Sequence, residues 1–273
     1  DVANPYFAEI ARGIEDGLAE HGCVSIACSS DVDAARLSRV MHTLLENRVR
    51  GVILNAVEAV PSELDAILET GVAVVLLDNH AVRPDVCAVT GGRLVAEHLL
   101  GLGHRRIAIL RHDRTIPALE DRVAGAYDAA KARGLKPEQV YRDVRFGRPD
   151  RFEGAGEAVT AALDGDDPCT AFICYNDMTA LNVMAVLRER DIAVPEQMSV
   201  IGYDDLPFAR LLSPALSTVR QPTHSLGRTA AQLVVAEAEP GHEHRQILFT
   251  AELIPRESTA RPPKSERRPA GRS

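Results

Sequence analysis

Apolar positions along the chain fall into two alternating patterns. Short, nearly unbroken runs at residues 49–54 (VRGVIL), 72–77 (VAVVLL), 107–110 (IAIL), 171–175 (AFICY) and 198–202 (MSVIG) read as strands buried on both faces of a parallel sheet. Between them, apolar residues recur three and four apart, as one face of a helix requires. Ile10, Ile14 and Leu18 form such a stripe, stopped by Gly22, and Leu37, Val40, Met41, Leu44 and Leu45 form another after Asp31 and Asp33. Further helices are predicted over residues 61–68, between Pro61 and Gly71, and over 153–163, 178–190 and 225–237. Gly91-Gly92 opens one with Leu94, Val95, His98 and Leu99 inward, and Val123, Ala126, Tyr127 and Ala130 carry another to Gly134. Weaker strand signals lie around residues 26–27 and 140–144, and residues 242–250 read as a turn and strand. Strand and helix alternating at this spacing predict right-handed crossovers and a layered α/β fold with doubly wound sheets.

A chain of 273 residues suits two domains, and 45% apolar content is enough for two cores. No apolar run approaches the roughly 18 residues needed to span a bilayer. The start, DVANPYF, has neither the charged nor the apolar region of an export signal, so a cytoplasmic protein without membrane contact is expected. Cys23, Cys28, Cys87, Cys169 and Cys174 are an odd number in mostly apolar, strand-like surroundings, and are expected to be reduced and structural. Net charge is -8; the last 14 residues carry a balance of +4, leaving -12 on the body, which should repel a phosphate backbone.

Candidate chemistry collects where strands end, because ligands of open α/β sheets sit beyond the carboxyl ends of strands. The run 198–202 delivers Asp204 and Asp205. Asp204 follows a glycine, and its carboxylate can accept two hydrogen bonds from the hydroxyls of a polyol or sugar; Asp205 fits a capping role better. The run 171–175 delivers Asn176, whose amide offers donor and acceptor together, and Asp177, whose position also suits a cap for a helix starting at Met178. Arg122 stands on an otherwise apolar helix and can form a planar, multi-donor contact. Tyr6 and Phe7 can supply a stacking wall, and Asn55 emerges at the end of a buried strand. The segment between Asp205 and Pro222, broken by Pro214, reads as mobile.

Enzyme motifs are missing. His98, His104 and His112 form no HExxH or similar array, and there is no GxSxG elbow, no GxxxxGK[ST] loop and no GxGxxG turn. No catalytic residue, cofactor or metal site is therefore expected.

The stretch NDMTALNVMAVLRERDIAVPEQMSVIGYDDLPFARLLSPALSTVRQP resembles the ligand-binding core of LacI/GalR-type bacterial transcription repressors. DVANPYFAEIARGIE, EHLLGLGHRRIAIL and ELIPRESTA extend the likeness to about nine-tenths of the chain. The resemblance implies a periplasmic-binding-protein-like (type I) fold, two doubly wound parallel-sheet domains joined by three crossover segments. On that plan residues 1–103 plus 222–250 form one subdomain, 104–221 plus 251–258 the other, and 259–273 a flexible basic tail. A strand should precede Asn4-Pro5, so a central position of the first sheet is expected to stand open. The resemblance also implies effector contacts at Asp204, Asn176, Arg122 and Gln221. Where the family presents an acidic or amide residue before the GGRL-like helix, this chain has Thr90. It implies further a small sugar-like effector, a homodimer, and operator DNA bound through a helix-turn-helix headpiece that this sequence does not contain. Exposed apolar faces bearing Leu64 and Leu68, or Leu226 and Leu233, would support the dimer. A stand-alone solute receptor and an α/β enzyme acting on a sugar or nucleoside are the rival readings.

Overall fold

The computed structural model describes residues 4–30, 33–55, 66–77, 86–90, 92–113, 116–147, 152–164 and 167–263. One sheet contains β1 (Gly51–Asn55), β2 (Ala73–Leu77), β3 (Val86–Thr90) and β9 (Gln246–Thr250), all parallel and in that order across the sheet. A second parallel sheet has the order β5 (Tyr141–Phe146), β4 (Ile107–His112), β6 (Ala171–Cys174), β7 (Ser199–Ile201). In a separate two-stranded ribbon β8 (Thr218–Arg220) and β10 (Glu252–Ile254) pair antiparallel. The apolar strands alternate their side chains between two cores, as a sheet covered on both faces must. On β2, Ala73, Val75 and Leu77 enter one core and Val74 and Leu76 the other; on β4, Ile107 and Ile109 oppose Ala108 and Leu110.

The helices are α1 (Pro5–Ala19), α2 (Ala34–Glu46), α3 (Gly92–Leu102), α4 (Pro117–Lys131), α5 (Pro137–Val140), α6 (Phe152–Leu163), α7 (Asp177–Glu189) and α8 (Thr223–Glu237). Among the described residues, no helix is long and apolar enough to cross a membrane. Asn4 caps α1 by accepting from the Tyr6 N–H at 3.0 Å, and Pro5 occupies the first turn, where its missing N–H costs nothing. Helices α1 and α8 run parallel and touch backbone to backbone. A Cβ added at Gly13 would lie 2.1 Å from the His224 carbonyl oxygen, and one at Gly227 would lie 2.1 Å from that of Ile10. Hydrogen-bonded pairs flank the contact: His224 with Asp16 at 2.8 Å, and Arg228 with Glu20.

A buried carboxylate fixes the turn after β7. Asp177 is inaccessible to solvent; its Oδ2 accepts from the Leu206 N–H at 2.7 Å and its Oδ1 from the Thr218 hydroxyl at 2.6 Å. Its own N–H donates to the Tyr203 carbonyl at 2.8 Å. Gly202 is obligatory beside it, since a Cβ there would fall 2.1 Å from Asp177 Oδ1. Burial pushes the Asp177 carboxyl up to about 7, against the lowering by Thr218, Leu206 and Tyr203.

Several expectations need correction. No strand forms at residues 26–27: residues 23–30 pair with nothing in either sheet, β1 is an edge strand, and Val24 and Ile26 are exposed. An apolar alternation makes a strand only where a neighbour takes its hydrogen bonds. The segment read as mobile is instead tied down, with Leu216, Ser217, Thr218 and Val219 fully buried. The tail does not begin at Thr259. The Thr259 hydroxyl lies 2.9 Å from His98 Nε2, and the Ala260 carbonyl accepts from the buried His104 at 2.8 Å. Leu226 and Leu233 are buried in their own core, so they offer no exposed face for a dimer. Cys28 is exposed rather than set in a strand; Cys23, Cys169 and Cys174 are likewise free thiols. Leu64, most of the helix predicted over 61–68, and the tail from 264 lie outside the described residues.

Replacing Gly227 by alanine should force α1 and α8 apart and lower stability by roughly 1–3 kcal/mol. Gly156→Ala, inside α6 with open space around its Cβ position, should raise stability by roughly 0.5–1 kcal/mol; urea denaturation of both variants checks the contrast. A second test concerns Asp177. Its folded value of about 7 lies above the ordinary 3.8, so the folded chain holds a proton that the unfolded chain releases between those values. The stability of wild type relative to Asp177→Asn should therefore fall as pH rises from about 4 to about 7. A difference that grows with pH would mean that the hydrogen bonds to the carboxylate outweigh burial.

Candidate functional site

The turn pinned by Asp177 presents Asp204 at a backbone angle that side chains rarely adopt. Asp204 has φ 111° and Asp205 φ 53°, two consecutive residues in territory that favours glycine. The bonds around them hold this geometry in place: the Asp204 N–H donates to the Val219 carbonyl at 2.8 Å, and Asp205 is clamped between two arginines. Arg220 Nε donates to Asp205 Oδ2 at 2.8 Å and Arg256 Nη2 to Oδ1 at 2.6 Å. Asp205 thus braces β8 and the chain after β10, and its oxygens are already engaged.

Asp204 itself is buried, and its Oδ1 accepts from Gln221 Nε2 at 2.8 Å. Gln221 Oε1 in turn accepts from the Tyr6 hydroxyl at 3.4 Å. This chain runs from the first turn of α1, through the segment between β8 and α8, to the turn after β7. Phe7 packs edge-on against Tyr6, with ring centroids 5.1 Å apart, and joins an apolar cluster that also takes Leu206, Phe208 and Met178.

Asn176, not Asp177, caps the helix that follows β6. Helix α7 starts at Asp177, so Asn176 is its cap: Oδ1 accepts from the Thr179 N–H at 2.8 Å. The cap uses only the oxygen, and the amide nitrogen keeps two donors for other work. Asp177, one residue on, has both oxygens engaged inside the protein.

Arg122, in the second turn of α4, donates to the Tyr175 carbonyl at 2.7 Å, and its guanidinium lies 3.5 Å above the centre of the Tyr203 ring. Stacking on an aromatic face holds the plane of the cation without consuming in-plane donors. Tyr203 is a site residue the sequence did not single out, although it precedes Asp204 directly. Arg111 is another. It ends the apolar run of β4, nearly buried, with Nε and Nη2 on Asp143 at 2.8 and 2.6 Å and Nη1 on Glu120 at 2.5 Å. Its bidentate contact holds the Asp143 carboxyl below the usual range. A charge closing a buried apolar strand is the signal that could have marked it. Below Arg122 lies a small apolar cavity bordered by Ile109, Leu119, Val123, Ile173, Tyr175 and Tyr203. It does not include Asn176, Asp204 or Gln221, so it lies beside the polar cluster.

Asn55 and Thr90 occupy the carboxyl ends of β1 and β3, in register with Leu77 and Thr250. No hydrogen bond joins Asn55 to the cluster above among the described residues, and the Thr90 side chain lies outside them. No metal-ligand grouping occurs at this edge among the described residues.

Comparison with known proteins places this architecture. The periplasmic binding protein-like domain matches residues 96–259. The HTH-type transcriptional repressor PurR of Aliivibrio salmonicida is 27% identical over 93% of this chain and 78% of its own length. The HTH-type transcriptional regulator GalR of Escherichia coli is 29% identical over 96% of this chain and 77% of its own. A LacI family transcriptional regulator from Enterococcus faecium, crystallised with ribose, superposes with a TM-score of 0.85 at 26% identity, covering 96% of both chains. These relatives are regulators rather than enzymes. The chain therefore belongs to the periplasmic binding protein-like family and is the effector-binding core of a LacI/GalR-type transcriptional regulator.

Proposed function

We propose that this core takes a small sugar-like effector between two lobes, residues 1–103 plus 222–250 and residues 104–221 plus 251–258. The observation that carries the reading is the chain Tyr6–Gln221–Asp204, which joins the two lobes through polar groups at a sheet edge. Asp204 accepts sugar hydroxyls, the Asn176 amide nitrogen donates to them, and Arg122 on its Tyr203 platform reaches adjacent ring oxygens. Phe7 offers an apolar wall, and Asn55 and Thr90 close the site from the first lobe. Asp205 and Asp177 serve the scaffold. The ribose held by the Enterococcus faecium relative suggests a monosaccharide as the first compound to try.

Three crossings, near residues 102–104, 221–222 and 251–258, make a hinge, so binding acts by shifting the population of open and closed arrangements. In the cell this core works in the cytoplasm as a homodimer, and closure resets the spacing of helix-turn-helix headpieces on operator DNA.

Calorimetric titration with ribose and a panel of pentoses, hexoses and disaccharides tests the site. Asp204→Ala and Asn176→Ala should each weaken the best binder about ten- to a hundredfold, the loss of a contact worth roughly 1.5–3 kcal/mol. Both variants should keep the wild-type circular dichroism spectrum. Unchanged affinity in both would remove these residues from the site.

A further inference from the structure

At the other end of α8, about 20 Å from Gln221 by helix length, three potential ligands converge. Glu237 ends the helix, Gly241 with φ 80° reverses the chain, and His242 and His244 fold back onto the carboxylate. His242 Nε2 lies 2.5 Å from Glu237 Oε2; His244 Nδ1 lies 3.2 Å from Oε2 and 3.3 Å from Oε1. The two rings meet edge to face, with centroids 4.8 Å apart. We propose that Glu237, His242 and His244 bind a divalent transition-metal ion of the zinc class.

Three features point to a cation here. The Glu237 side chain is only 8% exposed, and it sits in the last turn of a helix, where the backbone carbonyls already make the potential negative. That turn contains no basic residue, and the ion-pair partners of Glu237 among the described residues are these two imidazoles. An imidazole supplies positive charge only when protonated; a divalent ion supplies it to neutral rings. Second, His242 Nδ1 lies 3.1 Å from the Glu239 carbonyl oxygen, which can only accept. With an ion bound, this contact would hold the ring proton on Nδ1 and leave the Nε2 lone pair for the metal. A backbone carbonyl orienting a metal-binding histidine in this way is the usual outer-shell arrangement.

Third, the spacing suits a small ion. Tetrahedral bonds of about 2.0–2.1 Å set ligand atoms about 3.3 Å apart, and both His244 separations meet this. His242 must withdraw by about 0.8 Å, a rotation that its partly exposed ring permits. Two imidazole nitrogens and one carboxylate, with no thiolate, select zinc, nickel or cobalt over calcium or magnesium, and leave a fourth position for water. A bound ion would clip the end of α8 to the start of β9, which begins at Gln246. Glu-x4-His-x-His matches no familiar metal-binding spacing, so the sequence alone does not mark this group.

The test uses the chain with Cys23→Ser and Cys28→Ser, which removes a half-buried and an exposed thiol as competing ligands. Zinc titration by calorimetry should give one equivalent per chain, cobalt should give a saturable visible absorption, and zinc should raise the melting temperature. His242→Ala, His244→Ala and Glu237→Gln should each weaken binding roughly tenfold or more and remove the cobalt band. Absence of saturable binding, or undiminished binding in both histidine variants, would overturn the proposal. These readouts involve no sugar, so their outcome is independent of the effector reading.

Discussion

A carboxylate withdrawn from water must find donors for both oxygens, and Asp177 finds them on two separate pieces of chain. Leu206 and Thr218 are brought to it from the turn after β7 and from β8, while its own N–H reaches the Tyr203 carbonyl. The arrangement leaves no room for a side chain at Gly202 and carries the backbone through the unusual angles of Asp204. The site edge therefore depends on an acid whose two oxygens are both engaged inside the protein. Unpaired polar groups at that depth would each cost a few kcal/mol, so the turn has little freedom to drift.

The division of labour among the acids follows from the same constraint. Four neighbouring side chains, Asn176, Asp177, Asp204 and Asp205, have nearly interchangeable chemistry, yet each is committed differently. Asn176 caps a helix with one atom, Asp177 is enclosed, Asp205 is neutralised by two arginines, and Asp204 is held by a neutral amide. An amide partner does not discharge a carboxylate as a guanidinium does. Asp204 thus has an amide where Asp205 has two guanidinium groups, although it is nearly buried.

Much of the fold could be read from the chain because the runs at 72–77 and 107–110 are too apolar to be anything but buried strands. The failures have local causes. Val86–Thr90 went unread as a strand although Pro84 and Gly91-Gly92 bracket it, and Thr218–Arg220 because prolines on both sides suggested a loop. Residues 26–27 have strand-like composition but lack a pairing neighbour, a fact of three-dimensional arrangement. The cap falls on Asn176 rather than Asp177 because the helix starts one residue earlier than its apolar pattern indicates. Tyr203 and Arg111 were passed over because an aromatic and a charge inside strand ends look like packing until their partners are seen.

The close contact of α1 with α8 has a mechanical meaning. Both helices start beside the polar cluster, α1 with Tyr6 in its first turn and α8 just after Gln221. They run in the same direction and are meshed where Gly13 and Gly227 let backbones touch, so neither can slide or roll without colliding with the other. Soft side-chain contacts absorb a small displacement; backbone against backbone does not. Such meshing couples the two helices as a unit with its base at Tyr6 and Gln221, so that a shift of one at that base requires a shift of the other.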